Sequence, residues 1–142
     1  MIKEVSNTIR VICPYCGRRA KLIWGNTLPL EEAREDSFYR KYGVKVWRCP
    51  NCAAMTIAGK YDNKPLGNLA NAKLRHSRYE LHILFDKLWK SHSISRTQAY
   101  SLLAIKMGIR KRDCHFSLFN EKQCALAKEK IIEMLKYRGF YW

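Results

Sequence analysis

Hydrophobic and polar positions change their period partway along the chain. In the first part the apolar residues come in short runs: Ala20 to Trp24 (AKLIW), Val44 to Arg48 (VKVWR) and Ala54 to Ala58 (AMTIA). Their content is strand-like, and in the second run Val44, Val46 and Arg48 alternate with Lys45 and Trp47. Three strands are therefore expected. Between the first two, Gly25 to Gly43 contains Pro29 followed by LEEAREDSFYRKY, with acids early and Arg40 and Lys41 late, the order that complements a helix dipole. This predicts a short helix, inserted at the tip of a hairpin over about residues 25–43.

From Asp62 the pattern shifts. DNKPLGN reads as a turn-rich connector, and helical periodicity follows it. Leu69 to Lys90 contains no Gly or Pro and places Leu74, Leu81, Leu84, Phe85 and Leu88 on one face. Ser95 with Gln98 three residues later forms a capping-box signature, so a helix runs from Arg96 to Met107 and ends at Gly108. A further helix is expected from about Glu121 to Arg138, stopped by Gly139, with Cys124, Ala127, Ile131, Met134 and Leu135 inward. The connector Gly108 to Phe119 is too long for the three- or four-residue turn of a helix-turn-helix. The fold class expected is α+β: a small module over residues 1–62 and a helical domain over 63–142.

The cysteines give the first module its organising chemistry. Cys13 and Cys16 in ICPYCG, and Cys49 and Cys52 in RCPNC, form two matched CPxC units. Each unit makes a tight knuckle that converges two thiolates, and together they supply the four tetrahedral ligands of a structural Zn²⁺, the pattern of a four-cysteine zinc ribbon. Redox dithiols or four buried cysteines are the alternative, and the matched spacing weighs against both. Gly17 suits the left-handed conformation at the end of the first knuckle; the equivalent residue of the second is Ala53, which predicts a less sharply formed turn. A four-thiolate shell leaves no position for water, so the metal is expected to fold the module rather than catalyse.

Charge narrows the partners. The chain of 142 residues carries 27 Lys and Arg against 12 Asp and Glu, a net charge of +15, and Glu31, Glu32, Glu35 and Asp36 sit together in the insertion. Such an excess attracts polyanions. The candidate phosphate contacts are Arg18, Arg19 and Lys21 beside the first knuckle, Arg75 and Arg78 on the first long helix, and Arg110, Lys111 and Arg112 in the connector. Trp24 and Trp47 are candidate stacking groups for a single strand, although tryptophans in such positions more often belong to the ribbon core. His82 and Asp86 continue the stripe begun by Arg75 and Arg78, and with His115 they form a candidate functional surface; a solvated helix face is the competing reading. Cys114, His115 and Cys124 are read as buried thiols and a core histidine in preference to a second metal site. The longest stretch free of Asp, Glu, Lys and Arg is Cys49 to Gly59, too short to cross a bilayer, which leads to a cytoplasmic expectation.

Several of these motifs together resemble a family, the zinc-finger-containing domain proteins of bacteriophages and bacteria. The shared features are CPYCG, CPNC, KPLGNLANAKLR, His82 with FDKLW, SRTQAY followed by LLA, and the segment holding Cys114, His115, Phe119 and Cys124. The resemblance spans nearly the whole chain and implies a zinc finger in a phage or prophage setting, without implying an activity. The chain departs from the family's pattern at Ser117, where a glycine is common, and in the length of its acidic insertion.

The function expected is binding of nucleic acid, specifically DNA, by a zinc-stabilised module. The alternative is a phage-encoded interaction module that captures a host protein, a reading favoured by the acidic insertion. A metal-dependent nuclease comes third, because carboxylates cluster nowhere outside the insertion.

Overall fold

Each of the three apolar runs forms a strand. In the computed structural model, which describes residues 1–137, β1 (Lys21–Trp24), β2 (Lys45–Arg48) and β3 (Met55–Ile57) make an antiparallel sheet in the order β1-β2-β3. The register pairs Leu22 with Trp47, Ile23 with Val46, and Arg48 with Met55. Because successive side chains point to opposite faces, Leu22 and Trp47 share one face, while Ile23, Val46 and Met55 share the other.

Both faces are covered. Val11, Cys13, Ala20, Cys49, Ala54, Ala58 and Leu69 pack with Leu22 and Trp47, while Leu28 and Ala33 of the insertion pack with Ile23, Val46 and Met55. Val46 and Trp47 are accordingly 0% and 1% exposed. The alternation expected of a half-buried strand therefore does not appear in β2, since the insertion supplies a second layer that no local pattern announces.

The insertion is not the helical projection expected. Only Phe38–Lys41 forms a helix, the single turn α1, preceded by a 3-10 turn at Gly25–Thr27. Around Pro29 the backbone makes one turn, with Glu32 and Ala33 N–H both donating to its carbonyl at 3.0 Å, and then leaves the helical path. A segment this short cannot sustain a helix on its own propensity. Burying Leu28 and Ala33 on the sheet decides its course instead. Gly25 starts the excursion where a side chain does not fit: a Cβ there would lie 2.1 Å from the Tyr39 carbonyl oxygen and 2.8 Å from that of Val44.

The chain divides into two compact units, the first running from Met1 to Lys73 and the second beginning at Leu74. Residues after Asp62, read as a connector, are tied to the first unit. Trp47 Nε1–H donates to the Asn63 carbonyl at 2.7 Å, and Met55 and Ala70 exchange two backbone hydrogen bonds of 3.0 Å. Lys3 and Val5 likewise bond to Trp24 and Leu22 along the free edge of β1.

The longer helices are α2 (Ala72–Ser91), which belongs to the second unit from Leu74 onward, α3 (Arg96–Met107) and α4 (Glu121–Lys136). The first begins at Ala72 rather than Leu69 because Leu69 and Ala70 are engaged with the ribbon. Its buried residues are Leu74, Leu81, Phe85 and Leu88, with Leu84 half-buried. The Ser95–Gln98 capping box forms with both bonds, and Gly108 ends α3 in the left-handed region at φ 71°. A second reciprocal box, Asn120 with Gln123, starts α4. Its expected end at Arg138 and Gly139 lies outside the described residues. The connector between α3 and α4 folds into 3-10 turns at Lys111–Asp113 and Phe116–Leu118, which bury Cys114, Phe116 and Phe119. No described helix is long and apolar enough to cross a membrane.

Candidate functional site

Two turns of the first unit present the four thiols in the same way. Gly17 N–H donates to the Cys13 carbonyl and Ala53 N–H to the Cys49 carbonyl, both at 2.9 Å. Cys13 N–H to Arg18 O (2.8 Å) and Cys49 N–H to Ala54 O (2.9 Å) close each loop. The second turn is as sharp as the first: Ala53 takes φ 57° where Gly17 takes 74°, contrary to the looser turn expected from alanine. The closing bonds force the alanine into the left-handed region, at a cost of roughly 1 kcal/mol or more.

The four sulfurs lie within 4.8 Å of one another, Cys13 and Cys49 buried, Cys16 and Cys52 half-buried. Cys16 and Cys49 Sγ are 3.5 Å apart, and all four are free thiols, so no disulfide competes. Four ligands at about 2.3 Å around a tetrahedral ion would be spaced about 3.8 Å from one another, so the set matches a closed zinc shell. Backbone N–H groups aim at the sulfurs, as thiolates require: Cys52 N–H reaches Cys49 Sγ at 3.4 Å. The Arg18 N–H is the main influence on Cys16, whose pKa is lowered to about 6. Cys52, hydrogen-bonded to Cys16, is pushed up to about 12, chiefly by that bond and then by burial.

The basic residues near the knuckles have different surroundings. Arg18 is exposed and its side chain has no partner among the described residues. Arg19 reaches the Ile9 carbonyl at 3.5 Å, and Lys21 pairs with Glu4 at 3.0 Å on the surface. Trp24 is exposed, whereas Trp47 is core.

The acidic insertion turns its central carboxylate inward. Arg48 Nε and Nη2 donate to the two Glu32 oxygens at 2.7 and 2.8 Å, a two-pronged pair. Glu31, Glu35 and Asp36 remain exposed, Asp36 close to Arg34 at 3.7 Å.

In the second unit the stripe along α2 is divided. Arg75 is half-buried and engaged, and Arg78 donates from Nε and Nη2 to the Phe119 carbonyl at 3.1 and 2.8 Å, bracing α2 against the start of α4. Asp86 accepts from Trp89 Nε1–H at 3.0 Å. His82 keeps an exposed edge and packs edge-on to Phe116 with ring centroids 4.8 Å apart; partial desolvation lowers its pKa, and Asp86 pulls the other way. Arg110 is held by Asp113 at 2.8 Å, which leaves Lys111 and Arg112 as the exposed cations of the connector without an ion pair among the described residues.

Cys114, His115 and Cys124 form no metal-ligand cluster; among the described residues only the four-cysteine group does. Burial pushes the Cys114 and Cys124 thiols up to about 11. The thiols are buried as expected, but His115 is not the core histidine expected: it is exposed on the turn between two buried neighbours, Cys114 and Phe116, and faces Tyr100 at 6.4 Å between ring centroids. Sequence reasoning quoted Arg96 and Tyr100 only within the SRTQAY motif and gave neither a role; both lie on α3. The guanidinium of Arg96 stands 6.0 Å from the Tyr100 ring centroid.

A three-stranded ribbon with two facing cysteine knuckles, followed by a helical unit, defines a zinc-finger type of protein with four cysteines placed so that they could hold a metal ion. The chain belongs to the zinc-finger-containing domain family, whose model matches residues 9–135. No curated protein and no solved structure matches it.

Proposed function

We propose that the protein holds one structural Zn²⁺ through Cys13, Cys16, Cys49 and Cys52 and binds nucleic acid, DNA in the first instance, through exposed cations. When bound, the metal would replace thiol protons and lock the two knuckles together. The protein's own contribution is the pair of turns and the N–H groups aimed at sulfur.

The observation that carries nucleic-acid binding is that both units are separately cationic. The first has 13 Lys and Arg against 6 Asp and Glu, the second 14 against 6. Part of the acidic complement is already used: Glu32 on Arg48, Asp113 on Arg110, Glu4 on Lys21. Arg18, Lys111 and Arg112 are left exposed without ion-pair partners among the described residues, free to neutralise phosphates. Such contacts release counterions and make affinity fall steeply with salt.

The test is a pair of measurements. Purified protein should carry one zinc per chain, and a chelator should expose Trp47 to solvent while leaving most helical circular dichroism intact. A first unit that stays folded without metal refutes the structural zinc. Binding to a labelled DNA should weaken steeply between about 50 and 200 mM salt. Affinity that is flat across that range, or absent for every DNA and RNA, refutes the nucleic-acid reading.

A further inference from the structure

One open cavity of the second unit brings aromatic and cationic side chains together. It has a volume of about 490 Å³ and is lined by Thr97, Tyr100, Lys111, Arg112, Cys114 and His115. Its size lies within the range of small-molecule sites. The Tyr100 ring packs against Phe85 (4.2 Å between centroids) and Phe116 (5.6 Å), with the Arg96 guanidinium 6.0 Å from its centroid, so its position is fixed and a cation stands beside it. The Cys114 thiol is buried and makes the interior apolar. Lys111 and Arg112 are exposed on the 3-10 turn with no carboxylate bonded to them among the described residues, the nearby Asp113 being occupied by Arg110.

We infer that this cavity takes one unstacked base of a single-stranded nucleic acid, with Tyr100 and His115 contacting its ring and Lys111 and Arg112 holding the adjacent phosphate. The inference rests on the nucleic-acid reading above and narrows it. A planar aromatic ring next to an anion is the composite that these residues complement, and a nucleotide unit has that form. A base within a duplex has its faces covered by its neighbours and cannot enter, so the occupant is a single strand. Stacking of this kind is sequence-tolerant, because every base offers a π-face.

The test uses the zinc-loaded full chain and fluorescence anisotropy with three probes of equal length, namely oligo(dT), a fully abasic deoxyribose-phosphate strand and a duplex, and with a mononucleotide as competitor. Oligo(dT) should bind about five- to a hundred-fold more tightly than the abasic strand, the range of one stacked base. Replacement of the exposed His115 by alanine (His115→Ala) should remove most of that difference and leave duplex binding unchanged. Lys111→Ala should weaken all three probes and lower the salt slope by about one. Unchanged circular dichroism of each variant shows that the fold is intact. Equal affinity for oligo(dT) and the abasic strand overturns the base pocket while nucleic-acid binding stands. So does a mononucleotide that binds as tightly as the strand, which makes the site one for free nucleotides. Failure of all three probes overturns both readings.

Discussion

Replacing Glu32 with glutamine tests the most unexpected contact in the first unit. Glu32 and Arg48 side chains are only 17% and 15% exposed, and two N–H groups of the guanidinium bond to the two carboxylate oxygens at 2.7 and 2.8 Å. The pair holds the insertion against the face of β2 formed by Val46 and Arg48. Glutamine keeps the shape and one acceptor but leaves the guanidinium half-buried without its counter-charge. A fully buried pair broken on one side costs about 3–5 kcal/mol, and a hydrogen bond to a charged group about 1.5–3 kcal/mol. With this residual exposure the expected loss is about 2 kcal/mol. For a unit of this size that corresponds to a melting point lower by about 10 °C. The assay is urea and thermal unfolding of zinc-loaded protein followed by tryptophan fluorescence, with the exposed Glu35→Gln as a control expected to change stability by less than about 0.5 kcal/mol. In an Arg48→Met background, Glu32→Gln should cost close to nothing. Equal stability of the Glu32→Gln and Glu35→Gln proteins would refute the role given to the pair, and with it the account of why the insertion folds inward.

Two further predictions concern the knuckles and the second unit. Ala53→Gly should raise stability by about 1 kcal/mol, since the residue sits at φ 57° and glycine relieves the left-handed strain at some entropic cost; a loss on denaturant titration contradicts this. The pKa values of Cys114 and Cys124 are raised from 9.0 to about 11 because burial favours the neutral thiol. The unfolded chain therefore releases these protons first as pH rises, so their contribution is intact below pH 9 and lost between about 9 and 11. Thermal melts across that range should decline in the wild type and decline less in a Cys114→Ala, Cys124→Ala protein; parallel slopes would contradict it.

Much of the metal centre was legible because its determinants are local. A CPxC turn needs only its own backbone to converge two sulfurs, and the second copy states that four ligands are intended. Helix starts were legible for the same reason, since Ser95 and Gln98 act within a single turn. Even so, local reasoning misjudged Ala53, whose left-handed geometry is imposed by the hydrogen bond from Cys49 N–H to the Ala54 carbonyl rather than chosen by the alanine.

What the chain's pattern determined by itself, then, was the pair of cysteine knuckles, three short strands, amphipathic helices and a strong positive charge. These depend on residues near one another in sequence or on composition. Only the tertiary structure decided that Glu32 faces Arg48, that Trp47 is core while Trp24 is exposed, and that Arg78 is spent on the Phe119 carbonyl. It also brought Tyr100 from α3 to His115 in the following connector, around one cavity. Those outcomes turn on which surfaces cover which, and an apolar or charged residue carries the same local signature whether its partner is water, a neighbouring strand or a distant helix.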